Sequence, residues 1–309
     1  MDIWGKEILK SEQVGKEIKE YIPENLEESK TKIVPVENVK TEKTKETKAL
    51  EPRKIVKICN PGTDHVRHNI NNHDFAFSFM NIKAVTDGCG SGKHSEVGTK
   101  LFGQLFAREV STFINCFNNK SRMQLLKYVK RKRINELAKY VERGEIPEEA
   151  FLGIVNEVFE RMLSICSEPS YIFENYCFTI LVCFEYKDEY VVYSCGDGFI
   201  IKENTEGITF EQLDDGEFPA YYVYNWIDSA NLKEYKEGVE FKVKRFKKSE
   251  YTNIGVASDG LRFFEDLYEP EKYKFKANLS EGKGPQIEML ITRNNRKEGT
   301  FKDDISICF

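Results

Sequence analysis

Short apolar segments separated by tight turns are the feature that most constrains the fold of this chain. Three of them follow one another between residues 176 and 202, separated only by Lys187-Asp188 and Gly196-Asp197-Gly198. Apolar runs bounded by turn residues at such short spacing predict antiparallel strands joined as hairpins. We therefore predict a β-meander over residues 176–186, 189–195 and 199–202.

Helical periodicity occupies the stretch between two groups of predicted strands. The first group is a hairpin, residues 75–79 and 82–85, around Met80-Asn81. Apolar positions at helical spacing follow, and the first helix is predicted to begin near Ser95. The other predicted elements are helices over 122–143, 147–166 and 286–296, a helix after Leu261, and strands over 239–246, 253–257 and 305–309. Hairpin-connected strands with helices grouped between them indicate an α+β fold in layers, not a doubly wound parallel sheet.

Composition separates a charged leader from a globular domain. Residues 1–54 contain 12 basic and 12 acidic side chains and few aromatic ones, a composition that cannot offset the entropy of ordering by burial. We predict that residues 1–54 form a flexible leader and that residues 55–309 form one domain. The formal net charge of −5 disfavours a nucleic-acid binder that neutralises phosphates.

The apolar segments and the cysteines indicate the cellular setting. The longest apolar run, Phe178 to Phe184, is far shorter than the roughly 20 residues that span a bilayer. The first ten residues lack the basic start and apolar stretch of a secretory signal, so a cytoplasmic protein is expected. The eight cysteines form no CxxC pair, and we expect them to be reduced, with neither disulfides nor structural zinc.

Aspartates are scarce in this sequence, and their positions are informative. There are 13 Asp against 38 Glu, yet four Asp-Gly steps occur, of which the one at Asp215 is explained as a turn. The carboxylates of the other three steps each follow a predicted strand: Asp87, Asp197 and Asp259. Further acidic residues stand at the start of the last strand and of the first hairpin: Asp303, Asp304 and Asp74.

Strand ends that share a core are rigid and can meet at one edge of the sheets. Several carboxylates gathered there would repel one another, and their pKa would rise unless cations neutralise them. Oxygen ligands favour hard divalent ions such as Mg²⁺ or Mn²⁺, and two such ions would activate a water and hold a phosphoryl oxygen for in-line attack. A set of unrelated turns is the alternative that these residues alone leave open.

Five segments, taken in order, resemble the successive motifs of a known family. They are HVRHNINNHDFAF (65–77), TDGCGSGKHSEVG (86–98), CGDG (195–198), ASDGL (257–261) and DDIS (303–306). This set resembles the metal-dependent protein phosphatase 2C family, and TDGCGSGKHSEVG resembles its bacterial branch. The resemblance covers residues 60–309 and implies a four-layer α/β/β/α sandwich of two antiparallel sheets flanked by helices, with a dinuclear metal site at one end.

The resemblance also assigns roles to the residues of the second metal. Asp87 resembles the aspartate that bridges both metals, and Gly88 resembles the residue that offers its backbone carbonyl. Asp259 and Asp303 resemble the aspartates that complete the shell of the second ion. In the last motif the first aspartate matches the family's ligand, so Asp304 is expected to be a neighbour and not a ligand.

The shell of the first metal departs from the family pattern. Asp74 resembles the aspartate that holds metal-bound water, and Asp197 resembles one linked to a third, more loosely held ion. The residue before Asp74 is usually Glu or Gln in this family, and here it is His73. The implied cofactors are two Mn²⁺ or Mg²⁺ ions, with a third as an option.

The group that binds the substrate phosphate also departs from the pattern. Many relatives place an arginine five residues before the first-motif aspartate, and here that position is Asn69. The bacterial branch carries a histidine nine residues before it, which matches His65, and Arg67 is close enough in sequence to supply a cation. We expect His65 or Arg67 to take this role, and His65 is also a candidate general acid.

The activity implied by the resemblance is hydrolysis of phosphoserine or phosphothreonine esters on proteins by a metal-activated water, opposing a serine/threonine kinase. Neither a nucleic-acid partner nor a membrane partner is expected. Two alternatives stay open: a phosphatase-fold module that binds phosphorylated partners without turnover, and a phosphohydrolase that acts on small phosphorylated metabolites.

Overall fold

Two antiparallel sheets of five strands each form the centre of the described structure. The computed structural model describes residues 54–118, 146–213, 219–227 and 238–309, so the predicted leader up to residue 53 and the predicted helix 122–143 lie outside the described residues. The strands are β1 (Lys57–Asn60), β2 (Phe75–Phe79), β3 (Ile82–Gly88), β4 (Phe178–Tyr186), β5 (Glu189–Cys195), β6 (Gly198–Asn204), β7 (Gly207–Leu213), β8 (Lys242–Lys247), β9 (Asn253–Ala257) and β10 (Ile305–Cys308). One sheet has the order β1-β10-β9-β6-β7, and the other has the order β2-β3-β4-β5-β8.

Helices cover the outer faces of both sheets. They are α1 (Thr63–His68), α2 (Ser95–Asn118), α3 (Glu148–Ile165), α4 (Pro169–Asn175), α5 (Glu269–Ser280) and α6 (Gly284–Glu298), with 3-10 helices at Tyr222–Trp226 and Asp259–Asp266. In α2 and α3, apolar residues at helical spacing form the buried face: Phe102, Phe106, Val110, Phe151, Val155 and Phe159. The expected helix starts near Ser95 and Pro147 are confirmed to within one residue.

Three apolar clusters define the four layers. The first lies between α2, α3 and the outer face of the β2-β3-β4-β5-β8 sheet, and the second lies between α5, α6 and the outer face of the other sheet. The third contains side chains from both sheets, among them Val85, Leu181, Ile200 and Val256, and fills the space between them. The predicted α+β sandwich of two antiparallel sheets flanked by helices is therefore confirmed.

The central strand β4 shows how the sequence produces these layers. Successive side chains of a strand point to opposite faces of the sheet. Ile180, Val182 and Phe184 accordingly join the helix-facing cluster, whereas Leu181 and Cys183 join the cluster between the sheets. Because both faces of β4 are covered, nearly every residue in the strand is apolar.

The predicted β-meander is wrong at its third strand. β4 and β5 form a hairpin, but β6 pairs with β7 and β9 in the opposite sheet. Gly196 and Gly198 have φ values of +96° and +132°, which glycine adopts far more readily than other residues. The chain therefore crosses between the sheets at this point, and Asp197 lies at the crossing.

Short elements account for most of the other differences. β1, β7, α1 and α4 were not predicted, and the helix predicted after Leu261 is a 3-10 helix followed by α5. In the part of the chain that the structure describes, no helix has the length and apolar content needed to cross a membrane.

Candidate metal centre

A cavity of about 180 Å³, here called the carboxylate cavity, lies where strands of both sheets end. Asp87 reaches it from the end of β3 and Asp197 from the crossing between β5 and β6. Asp259 follows β9 and Asp303 precedes β10, and both line the same cavity. Asp304 also lines the cavity, so the structure brings together five of the carboxylates singled out in the sequence, and Gly88 lines the cavity with them.

Asp74 lies behind the cavity and is 1% exposed. Ser258 donates its hydroxyl proton to Asp74 Oδ2 over 2.6 Å, and the backbone amide of Ser306 donates to the Ser258 hydroxyl over 2.9 Å. The other carboxyl oxygen, Asp74 Oδ1, is buried and has no hydrogen-bond partner among the described residues. One oxygen is thus fixed by the sheet that carries β9 and β10, and the Asp74 carboxyl group also interacts with that of Asp87 at the cavity.

Crowding changes the protonation of these carboxyl groups. Burial raises the pKa of Asp74 to about 7, and the nearby carboxylates of Asp304 and Asp259 act in the same direction. Burial, followed by repulsion from Asp74 and Asp259, also holds the pKa of Asp87 well above its usual range. The pKa of Asp259 is raised to about 6 by burial and by other carboxylates, although Arg262 opposes this shift. In the absence of added cations, this cluster retains protons that isolated aspartates would lose.

The residues present fit hard divalent cations. The carboxylates of the cavity, the carbonyl of Gly88 and the unsatisfied Asp74 Oδ1 are all oxygen donors, the set that Mg²⁺ and Mn²⁺ prefer. Within residues 54–118, 146–213, 219–227 and 238–309, no three His, Cys, Asp or Glu side chains already stand as the ligands of a single ion. The fit therefore rests on the shared cavity and on the chemistry of its donors.

Asp304 anchors the first motif to the last strand. It is 2% exposed, and its Oδ1 accepts the Gly62 backbone N–H over 2.7 Å. Its Oδ2 accepts the backbone N–H of His73 over 2.6 Å and lies 2.7 Å from Nδ1 of His65. Asp304 thus holds the His65 ring at the cavity and fixes the residue that precedes Asp74. All of these contacts occupy its carboxylate with protein groups.

His73, which replaces the usual acidic or amide residue, is largely buried and lines the carboxylate cavity. Burial lowers its pKa, and the neighbouring His65 ring, 4.7 Å away between ring centroids, lowers it further. Thr99 donates to its backbone oxygen over 2.9 Å, and its Nε2 lies 3.9 Å from Glu96 Oε2. A neutral ring in this position places no additional positive charge beside the carboxylates.

Arg262 joins two of the cavity carboxylates. Its Nη1 lies 2.9 Å from Asp259 Oδ2, and its Nη2 donates to Asp303 Oδ2 over 3.0 Å. The side chain is half exposed. One guanidinium therefore partly neutralises the two aspartates that resemble ligands of the second metal.

Arg67 does not line the carboxylate cavity, contrary to the expectation that it could bind phosphate there. His65 and Arg67 both belong to α1, and residues two apart on a helix project about 200° apart. His65 consequently reaches the carboxylate cavity while Arg67 lines a separate cavity beside α6. Of the two expected phosphate-binding residues, the structure brings only His65 to the carboxylates.

Comparison with known proteins identifies the family of this chain. The family model for protein phosphatase 2C matches residues 61–283. The chain belongs to the protein phosphatase 2C family. No curated protein matches it.

Solved structures of phosphatases are similar to this chain at low sequence identity, and one of them, with a TM-score above 0.5, shares its fold. A bacterial serine phosphatase with a single substitution has a TM-score of 0.51 and 14% identity, over 84% of this chain and 97% of that one. Stp1 from Staphylococcus aureus has a TM-score of 0.47 and 14% identity, over 86% and 97%. The catalytic domain of PstP, solved with two manganese ions, has a TM-score of 0.44 and 14% identity, over 82% and 96%.

Three residues of this phosphatase 2C site were missed in the sequence or given no function. Ser258 stands beside Asp259, but its role depends on the contact with distant Asp74. Arg262 follows Asp259 by three residues, the spacing of one 3-10 turn, and this was the available signal. Asp303 and Asp304 are adjacent aspartates just before β10, and the sequence does not reveal that Asp304 is buried while Asp303 is 41% exposed.

Proposed function

We propose that this phosphatase 2C chain is a metal-dependent hydrolase of phosphoserine and phosphothreonine on proteins. The observation that carries the proposal is the convergence of Asp87, Asp197, Asp259 and Asp303 on one cavity, with Asp74 behind it. Crowded carboxylates with raised pKa values cost folding free energy, and such groups are concentrated at functional sites. Cation binding is the function that removes this cost directly.

Individual residues are assigned roles within this proposal. Asp87, the carbonyl of Gly88, Asp259 and Asp303 would hold the two ions. Asp74 would orient a water beside the ions, and Asp197 would hold a third ion. Two bound Mn²⁺ or Mg²⁺ ions would supply an activated water and neutralise the charge of the phosphoryl group.

His65 is the proposed proton donor to the leaving serine or threonine oxygen. Its Nδ1 is engaged by Asp304 over 2.7 Å, and the ring lines the carboxylate cavity. Nε2 has no hydrogen-bond partner among the described residues and is therefore the nitrogen available to substrate. A ring held by a buried carboxylate has little rotational freedom, which favours a proton transfer of defined geometry.

Arg262 is the proposed cation for the substrate phosphate. It is paired with two carboxylates that line the cavity. A guanidinium carries five donors in a planar fork and matches phosphate oxygens bidentately. Two of those donors face Asp259 and Asp303, and the half-exposed side chain leaves others for an incoming phosphoryl group.

The proposed substrate is a phosphorylated protein in the cytoplasm, whose phosphate a serine/threonine kinase has added. Membership of the protein phosphatase 2C family supports a phosphoprotein substrate over a small phosphorylated metabolite. Parallel assays of a phosphoserine peptide and a phosphorylated sugar separate the two. Faster turnover of the sugar, measured as kcat/KM, would move the assignment to metabolite hydrolysis.

Hydrolysis of a phosphothreonine peptide with added Mn²⁺ tests the proposal. The wild-type protein is expected to release phosphate and to lose this activity in EDTA. Asp87→Asn is expected to lose most of it, whereas Asp188→Asn, on the exposed turn between β4 and β5, serves as the matched control and retains it. Undiminished turnover by Asp87→Asn would refute the assignment, and peptide binding without turnover by the wild type would indicate a binding module.

A further inference from the structure

A second cavity lies on the opposite side of α1 from the carboxylates. It has a volume of about 310 Å³ and is formed by the segment that leads into α1 and by the last turns of α6. It is here called the arginine cavity, after Arg67 and Arg296, which line it with Pro61, Thr63, Val66 and Asn295. Its volume is within the range of small-molecule sites in proteins, about 300–1,000 Å³.

The charge of this cavity is positive and weakly compensated. Two guanidinium groups line it, and no carboxylate is among its lining residues. Arg67 has Asp64 as an acidic neighbour, with 3.4 Å between Nη1 and Oδ1, and both side chains are more than half exposed. An exposed pair with this geometry contributes little. Both arginines are therefore available to an anion.

The polar groups of the lining are mainly donors. Oδ1 of Asn295 already accepts a hydrogen bond from the backbone N–H of Phe301 over 2.9 Å, so the side-chain NH₂ group of Asn295 remains available to a ligand. Thr63 is 8% exposed, and its hydroxyl has no hydrogen-bond partner among the described residues. An unpaired buried hydroxyl costs free energy that a ligand oxygen can recover. Asn60 and Thr292, which carry side-chain oxygens, also line the cavity, but the two guanidiniums and the Asn295 amide make donors predominate, which favours an anion rich in oxygen.

Apolar groups complete the wall. Val66 is 63% exposed on α1, and Pro61 lies just before the helix. An exposed valine beside two guanidiniums gives the cavity one apolar side and one cationic side. A ligand that satisfies both sides has a small apolar body and a compact anionic group.

We propose that the arginine cavity is a binding site for a small organic phosphate, distinct from the carboxylate cavity. Two guanidiniums match the two negative charges of a phosphomonoester better than the single charge of a carboxylate. Pro61 and Val66 contact the organic part of the ligand. Because His65 on the same helix reaches the carboxylate cavity, a ligand in the arginine cavity contacts the element that carries the proposed proton donor.

The test measures binding of phenylphosphonate, whose P–C bond resists hydrolysis, to chelator-treated protein by isothermal titration calorimetry. Without bound metal, the carboxylate cavity repels anions, so a signal reports the second site. At about pH 8, where the probe carries close to two negative charges, the wild type is expected to bind it at one site. Benzoate is expected to bind at least about tenfold more weakly, since it carries one charge.

Variants locate the site. Arg296→Ala is expected to weaken phenylphosphonate binding by about tenfold or more, since it removes one charge-assisted contact. Thr63→Val, which keeps the side-chain shape, is expected to weaken it less. Arg293→Ala is the matched control, because Arg293 is also on α6 but pairs with Glu271 and does not line the cavity.

Three results would overturn the proposal. They are no binding to the wild type, equal binding by the Arg296 and Arg293 variants, and benzoate binding as tight as that of phenylphosphonate. A phosphoserine peptide that binds tenfold more tightly than phenylphosphonate would also overturn it, because the occupant would then be a protein segment. Every measurement is made without metal, so the outcome does not depend on whether the chain is a phosphatase.

Discussion

Removing the Asp304 carboxylate should destabilise the protein more than removing its neighbour Asp303. Asp304 is 2% exposed and is contacted by three donor groups, the amides of Gly62 and His73 and Nδ1 of His65, at 2.6 to 2.7 Å. A hydrogen bond to a charged group contributes about 1.5–3 kcal/mol. Asp303 is 41% exposed and accepts hydrogen bonds from two groups, the Asp304 backbone N–H and Arg262.

The cost of Asp304→Ala follows from these contacts. Three such bonds would sum to about 4.5–9 kcal/mol, but relaxation and entry of water reduce the measured loss. Breaking a buried charged interaction by removing one partner typically costs about 3–5 kcal/mol, and we expect a loss in this range. Since the whole domain has a free energy of unfolding of about 5–15 kcal/mol, this variant should be marginally stable.

Asp304→Asn gives the graded comparison. The amide has the same shape, and its oxygen can replace Oδ2 for His65 and His73, but its NH₂ group then faces the Gly62 N–H. We expect a loss of about 1–3 kcal/mol, between those of Asp304→Ala and Asp303→Asn. Urea denaturation of chelator-treated protein measures all three without the contribution of bound metal. Two results would contradict this prediction. One is a free energy of unfolding for Asp304→Ala within about 1 kcal/mol of wild type, the contribution of one typical hydrogen bond. The other is an Asp304→Ala protein that is at least as stable as Asp303→Asn.

Arg262→Ala should bind Mn²⁺ up to about tenfold more tightly, because the substitution removes a cation that competes for two carboxylates. Inorganic phosphate should inhibit this variant less than wild type, because a phosphate-binding group is lost; weaker Mn²⁺ binding would show that the arginine only positions the ligands. Burial raises the pKa of Asp74 from 3.8 to about 7, so the folded metal-free protein retains a proton that the unfolded chain has released. Its free energy of unfolding should therefore fall between about pH 4 and about pH 7, less steeply in Asp74→Asn and in wild type with Mn²⁺; urea denaturation across this range gives the profile, and equal slopes would contradict the account. Gly260→Ala should lose about 1–3 kcal/mol of stability, because an added Cβ would clash with the backbone oxygen of Asp304; an unchanged Tm would show that the backbone accommodates it.

The layers of the fold were predictable because each follows from a local pattern. The apolar run of β4 and the helical spacing in α2 identify elements whose faces must be covered. The crossing at Asp197 was not predictable in this way, since a Gly-Asp-Gly turn is compatible with a hairpin and with a strand in the opposite sheet. Only packing of β6 against β9 decides between them.

The carboxylates of the site were predictable, and their supporting contacts were not. Acidic residues at strand ends are visible in the sequence, and the structure brings Asp87, Asp259 and Asp303 to one cavity. The partners of Asp74 and Asp304 come from segments more than 180 residues away along the chain. His65 and Arg67 can both supply a positive charge, so the sequence alone does not tell which of them faces the carboxylate cavity. That depends on how the short helix α1 packs.

Calorimetric titration of Mn²⁺ into the chelator-treated protein tests the central claim most directly. The account predicts that the wild type and Asp188→Asn bind at least two ions per chain with release of protons, because the raised pKa values of the carboxyl cluster fall when cations bind. It predicts that Asp87→Asn loses most of this binding. Binding by Asp87→Asn with the affinity and stoichiometry of the wild type would contradict the claim that these carboxylates form one metal centre.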